Sequence, residues 1–80
     1  MSRAKSVSTI TIDWVAVGRR IRELRGFAMK QAEFAEMIGI GQSHISAIEH
    51  GKKEPGATVL YRIAKFYGKT IEWLLTGSDD

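Results

Sequence analysis

The side chains able to do chemistry are few, and their spacing argues against most of it. Glu33, Glu36 and Glu49 are carboxylates, and His44 and His50 are the two imidazoles of an 80-residue chain without cysteine. Acid–base catalysis needs such groups to converge in a pocket, and a chain this short offers little cavity. Surface and structural roles are expected for the three glutamates. His44 and His50 stand six apart on one expected helix, so they point to different sides and cannot share a metal ion. Without cysteine there is no thiolate zinc site, disulfide or cysteine nucleophile. No Gly-rich phosphate loop or Ser/His/Asp arrangement appears in a suitable context. The chain therefore reads as a non-enzyme with no cofactor and no metal. What remains is a group of amides and hydroxyls at Gln42, Ser43 and Ser46, with Ala47 beside them. In isolation these would be ordinary surface residues, so their meaning depends on the element that carries them.

Those elements are legible from glycine and apolar periodicity. Gly26, Gly39, Gly51, Gly68 and Gly77 each follow an apolar-periodic segment, as expected where helices end in a backbone conformation that glycine adopts at little cost. Five short helices follow. Trp14, Val17, Ile21 and Leu24 form one buried stripe, and Phe34, Ala35 and Ile38 a second. Ile45 and Ile48 mark the third segment. Val59, Leu60, Ile63, Ala64 and Tyr67 mark the fourth, and Ile71, Leu74 and Leu75 the fifth. Alternation from Val7 to Ile12 is the one weak strand-like signal, and a tail lying on the domain explains it equally well. Residues 1–10 are read as a flexible tail, 11–77 as the domain and 78–80 as a second tail. Thr11 or Asp13 is expected to cap the first helix. Pro55 disfavours helical geometry at the residue before it, which places the start of helix four near Ala57 or Thr58.

The segment from Gln31 to Gly51 is the most informative. Two short helices meet at a tight turn at Gly39, and Ala35 is small where they would cross. Phe34, Ile38, Ile40, Ile45 and Ile48 fall where both face a shared core. This is the helix-turn-helix pattern, expected over 31–50.

With those residues in place, the chain resembles the lambda-repressor-like, Cro-type helix-turn-helix domains, also called the XRE family. The likeness runs over roughly residues 13–77. It is carried by Ile-Arg-Glu-Leu-Arg at 21–25, Gln31-Ala32-Glu33-Phe34-Ala35, Gly39-Ile40, Ile45-Ser46-Ala47-Ile48-Glu49, Gly51 with Pro55, and Ile71-Glu72-Trp73-Leu74-Leu75-Thr76-Gly77. The resemblance implies an all-α, compact five-helix DNA-binding domain acting on operator-like double-stranded DNA, usually as a homodimer on a pseudo-palindromic site. It places Gln42, Ser43, Ser46 and Ala47 on the face of the recognition helix that enters the major groove. Their chemistry suits that place: glutamine can pair bidentately with adenine, serine can donate or accept, and a methyl group can meet thymine. It further implies backbone contacts from Gln31, His44, Lys52 and Lys53, which position the protein without reading sequence. Arg25 and Glu49 match positions that often form a partly buried ion pair.

Two residues depart from the family pattern. Lys30 stands where a capping Ser or Thr is usual before helix two, and lysine cannot cap, so that helix is expected to be less well capped unless Lys30 is kept to reach phosphate. Gly41 replaces a capping hydroxyl before the recognition helix at small cost.

Charge is compatible with this expectation. The net value is +3, and residues 1–26 hold six basic against two acidic side chains, while the rest hold six against seven. Such an amino-terminal half suits phosphate or anionic lipid, but it is equally the charge of a solvated helix face. No apolar run approaches the ~20 residues of a membrane span, and no secretion signal is apparent, so a cytoplasmic protein without membrane partners is expected. Phe66, Tyr67, Trp73 and Leu75 put large apolar groups near the carboxyl end. They are either core or a dimer surface. A second reading makes the chain an antitoxin-like protein-interaction module that offers this apolar surface to a protein partner.

Overall fold

The computed structural model describes residues 7–78; the expectations for residues 1–6 and 79–80 lie outside the described residues. Five α-helices are present: α1 Trp14–Arg25, α2 Gln31–Ile38, α3 Gln42–Glu49, α4 Ala57–Tyr67 and α5 Ile71–Thr76. A 3-10 turn at Val7–Thr9 precedes them, closed by the Ile10 amide on the Val7 carbonyl at 3.1 Å. This turn lies within the stretch read from sequence as a flexible tail, but Val7 and Ile10 are exposed. No strand occurs among the described residues, and no helix there is long and apolar enough to cross a membrane.

The helix starts follow local chemistry. Asp13 rather than Thr11 caps α1, its carboxylate accepting from the Ala16 amide at 3.1 Å. Thr70 does the same for α5 through the Trp73 amide at 2.9 Å. α4 opens at Ala57, two residues beyond the buried Pro55. The five glycines with positive φ are those that follow the apolar-periodic segments.

One core joins all five helices. Val17 and Ile21 from α1 meet Phe34, Ala35 and Ile38 from α2, Ile45 and Ile48 from α3, Val59, Leu60, Ile63 and Ala64 from α4, and Leu74 from α5. Each fully buried Leu, Ile or Phe contributes roughly 1.5–3 kcal/mol. α5 differs from its expected pattern: Leu74 is buried, but Ile71 lies at the surface and Leu75 is half-buried.

α1 and α3 approach more closely than side chains would allow, because Gly18 is interposed. A methyl group there would lie 2.7 Å from the Glu49 carbonyl oxygen and closer still to that of Ile48. Two arginines also tie helices together through distant backbone carbonyls. Arg20 Nη1 donates to the Leu74 carbonyl at 2.9 Å, and Arg62 Nη1 to the Ile38 carbonyl at 3.0 Å. Each closes the carboxyl end of a short helix, where free carbonyls and the helix dipole favour a cation.

Candidate nucleic-acid interface

α2 and α3 are joined by a turn that needs glycine. Gly39 has φ 91° and ψ 28°, a left-handed conformation that side chains other than glycine adopt only at a cost. Its amide and that of Ile40 both donate to the Ala35 carbonyl, at 2.8 and 3.0 Å. The turn thereby satisfies the end of α2 and aims α3 away from it.

The start of α2 has no side-chain cap, as expected from Lys30. Lys30 does precede the helix, and its ammonium cannot accept a hydrogen bond. Glu33 instead reaches back, its Oε1 accepting from the Lys30 amide at 2.9 Å, which is half of a capping box and puts a negative charge at the positive end of the dipole. Glu33 thus has a structural role that its position in the first turn could have signalled. Gly41, ahead of α3, is extended and supplies no side-chain cap.

α3 divides by its helical period. Ile45 and Ile48 are buried against the core, and Gln42 and Ser43 are exposed. Ser46 and Ala47 follow them one turn later, half-buried on the same side. His44 shares its stripe with Ile48, so it lies away from Gln42 and Ser46. His50, which cannot share a metal with His44, ends the helix, is exposed, and holds its Nδ1 2.8 Å from the Ser46 carbonyl. Its spacing of eight from Gln42 places it on the stripe of Gln42 and Ser46. Beyond it the Lys52 amide bonds the Ala47 carbonyl at 2.9 Å, so the exposed Lys52 and Lys53 stand on an anchored loop.

The other end of α3 is fixed by charge. Glu49 is buried, and Arg25 holds it in a bidentate pair, Nε to Oε2 at 2.7 Å and Nη2 to Oε1 at 2.9 Å. Gln31 Nε2 donates to the same Oε1 at 2.9 Å, and Arg25 Nη1 donates to the Met29 carbonyl at 2.7 Å. Burial alone would raise the Glu49 pKa. The hydrogen bonds from Arg25 and Gln31, with the charges of Arg25 and Arg22, outweigh it and hold the carboxyl below its ordinary value. Charge-assisted pairs of this geometry are roughly twice as strong as neutral hydrogen bonds. One knot therefore joins the end of α1, the start of α2 and the end of α3. Gln31 is half-buried within it, with its amide nitrogen committed to Glu49.

At the carboxyl end, Tyr67, Trp73 and Leu75 pack against the core, and Phe66 is the member of that group left exposed, its ring edge-on to Tyr67 at 4.9 Å. The Tyr67 hydroxyl is buried without a hydrogen-bond partner among the described residues. Burial raises its pKa, against a smaller lowering by the Arg25 charge.

A rigidly mounted short helix with an exposed polar face, set by a tight turn against a second helix, defines a helix-turn-helix DNA-binding domain. The chain belongs to the helix-turn-helix domain family, which it matches over residues 18–80, and within it to the lambda-repressor-like, XRE type. It is 36% identical over 52 residues to an uncharacterized HTH-type transcriptional regulator of Methanocaldococcus jannaschii, covering 65% of this chain and 79% of that protein. It is also 36% identical over 61 residues to the cryptic phage CTXphi transcriptional repressor RstR of Vibrio cholerae, covering 75% of this chain and 55% of that one. Its fold is similar to that of the P22 c2 repressor in complex with a synthetic operator, with a TM-score of 0.71 and 30% identity over 78% of this chain and 96% of the other.

Proposed function

We propose that the chain is a sequence-specific transcriptional regulator, acting as a repressor, that inserts α3 into the major groove of double-stranded DNA. One observation carries this reading: the face of α3 formed by Gln42, Ser43, Ser46 and Ala47 is presented on a helix whose far end is locked by Arg25, Glu49 and Gln31. A reading helix must be held to within a fraction of an ångström for bidentate hydrogen bonds to discriminate bases. Gln42 and Ser43 lead the contacts to base edges, with Ser46 and Ala47 behind them. Lys30, Gln31, His44, Lys52 and Lys53 contact the sugar–phosphate backbone and set the register. Relatives with repressor activity in their names support the output, because occupying a promoter is enough to block it. The protein works in the cytoplasm as a homodimer on a pseudo-palindromic operator, through a surface that includes Phe66. Two-fold symmetry then sets the half-sites roughly 34 Å apart.

Selection from a random duplex library tests this reading. An inverted repeat with half-sites about ten base pairs apart, bound ~10³-fold above a scrambled duplex, is the expected result. Equal binding of the two duplexes, governed by salt alone, would overturn it.

A further inference from the structure

α1 carries four arginines, and the structure commits only two of them. Arg20 closes the end of α5, and Arg25 is bound to Glu49 and Met29. Arg19 and Arg22 are exposed, and neither makes a hydrogen bond or ion pair among the described residues. With Val15 they fall at i, i+4 and i+7, which is one face of the helix, and Gly26 ends it.

The amino end of that face abuts the loop that follows the recognition helix, and its carboxyl end leads towards α2. At the amino end Gly51, which opens the Lys52–Lys53 loop, sits so close to α1 that a methyl group on it would lie 2.7 Å from the Val15 Cα. At the carboxyl end the Arg22 charge acts on Glu49, and Gly26 and Phe27 lead towards Lys30 and the start of α2. Between Arg19 and Phe27 lies an open concavity of about 540 Å³, lined by Arg19, Arg22, Glu23, Arg25, Gly26 and Phe27. Glu23 is its one acidic group. Phe27 is fully exposed, at 107% of the reference value. A solvated helix face explains unpaired arginines, but not a phenylalanine that forgoes roughly 1.5–3 kcal/mol of burial beside them.

We infer that this concavity is a second duplex contact, continuous with the helix-turn-helix, in which Arg19 and Arg22 neutralise phosphates flanking the half-site and Phe27 packs against the adjoining deoxyribose. The inference rests on the proposed reading that the chain binds double-stranded DNA. Charge complementarity selects the occupant, since Arg19 and Arg22 face solvent on the same helix that Gly51, at the root of the lysine loop, abuts. The fully exposed ring supplies the apolar contact that a sugar edge can use.

The test uses the full chain, the selected duplex and the same duplex lengthened by ten base pairs on each side. Neutralising one phosphate contributes ~0.9 to the slope of log affinity against log salt. Arg19→Ala with Arg22→Ala is therefore expected to reduce that slope by ~1.8 on the long duplex and much less on the short one. Preference for the selected over a scrambled sequence should be unchanged, and the two lysine substitutions should restore the slope. Phe27→Ala should weaken binding to the long duplex several-fold at constant slope. An unchanged slope on the long duplex, or an equal loss on both lengths, would overturn the flanking contact. Because both arginines are exposed, unaltered thermal unfolding is expected and separates lost contact from lost fold. A parent chain with no sequence preference would defeat base reading alone, because a slope reduced by the arginine variant on a long scrambled duplex would still support the phosphate contact.

Discussion

Replacing Gly18 with alanine tests how α3 is held. In an unhindered helix interior the substitution stabilises by about 1 kcal/mol, because glycine is the poorer helix former. Here the new methyl group would meet backbone on the facing helix, 2.7 Å from the Glu49 carbonyl oxygen and 2.9 Å from its carbon. Neither atom can rotate away, so α1 and α3 must part by the better part of an ångström. Overpacking of this kind costs about 1–3 kcal/mol and falls at the upper end when only backbone can yield. The displacement also pulls Arg25 on α1 away from Glu49 on α3, which lengthens bonds now at 2.7 and 2.9 Å. The net expectation is a loss of about 2 kcal/mol, or a fall in Tm of about 8–16 °C for a domain of this size. Urea unfolding followed by helical circular dichroism measures it. A Gly18→Ala chain as stable as the parent, or more so, would refute the close approach.

Glu49→Ala strands the Arg25 guanidinium in a site where only 14% of its side chain is exposed, and should cost about 3–5 kcal/mol by chemical denaturation. Because the Glu49 pKa is lowered by folding, its contribution is present above the ordinary value of 4.5 and is lost as pH falls below it through the folded value; in Glu49→Gln that part of the acid dependence should vanish from a Tm–pH profile. Tyr67→Phe removes a buried hydroxyl without a hydrogen-bond partner among the described residues and should leave Tm unchanged or raised, whereas a loss above about 1 kcal/mol would mean that the hydroxyl is hydrogen-bonded. Phe66→Ser, at a position 56% exposed, should weaken paired occupancy of an inverted repeat in gel shift while leaving thermal unfolding nearly unchanged; unaltered cooperativity would remove Phe66 from the dimer surface.

Much of the fold was legible because helix ends and buried stripes are local properties. Positive-φ glycines follow the periodic segments, and the Gln31–Gly51 pattern fixes two helices and their turn. What sequence could not display depends on contacts between distant elements. Gly18 looks like a weak point in a helix until α3 is laid against it. Arg20 and Arg62 look like solvent-facing charge, yet each closes a helix 54 or 24 residues away. Glu33 was readable in principle, since a glutamate three residues after a helix start is the partner a capping box requires, but the lysine at the cap obscured it. Among the candidate contacts, exposure of Gln42 and Ser43 follows from the α3 period. The commitment of Gln31 to Glu49 does not, since it depends on where Arg25 brings that carboxylate. Trp73 and Leu75 were left between core and dimer surface, because a six-residue helix does not show which neighbours it meets; both pack against the core and stay partly exposed.

Base reading by α3 is tested most directly by Gln42→Ala with Ser43→Ala, measured on the selected duplex and its scrambled control at one salt concentration. Both positions are exposed, so folding should survive. Loss of one bidentate pair and its neighbour should cut selected-site affinity by about 10- to 10³-fold, while binding to the scrambled duplex stays the same. If the two affinities fell together, or neither fell, sequence reading would have to reside elsewhere than on the exposed face of α3.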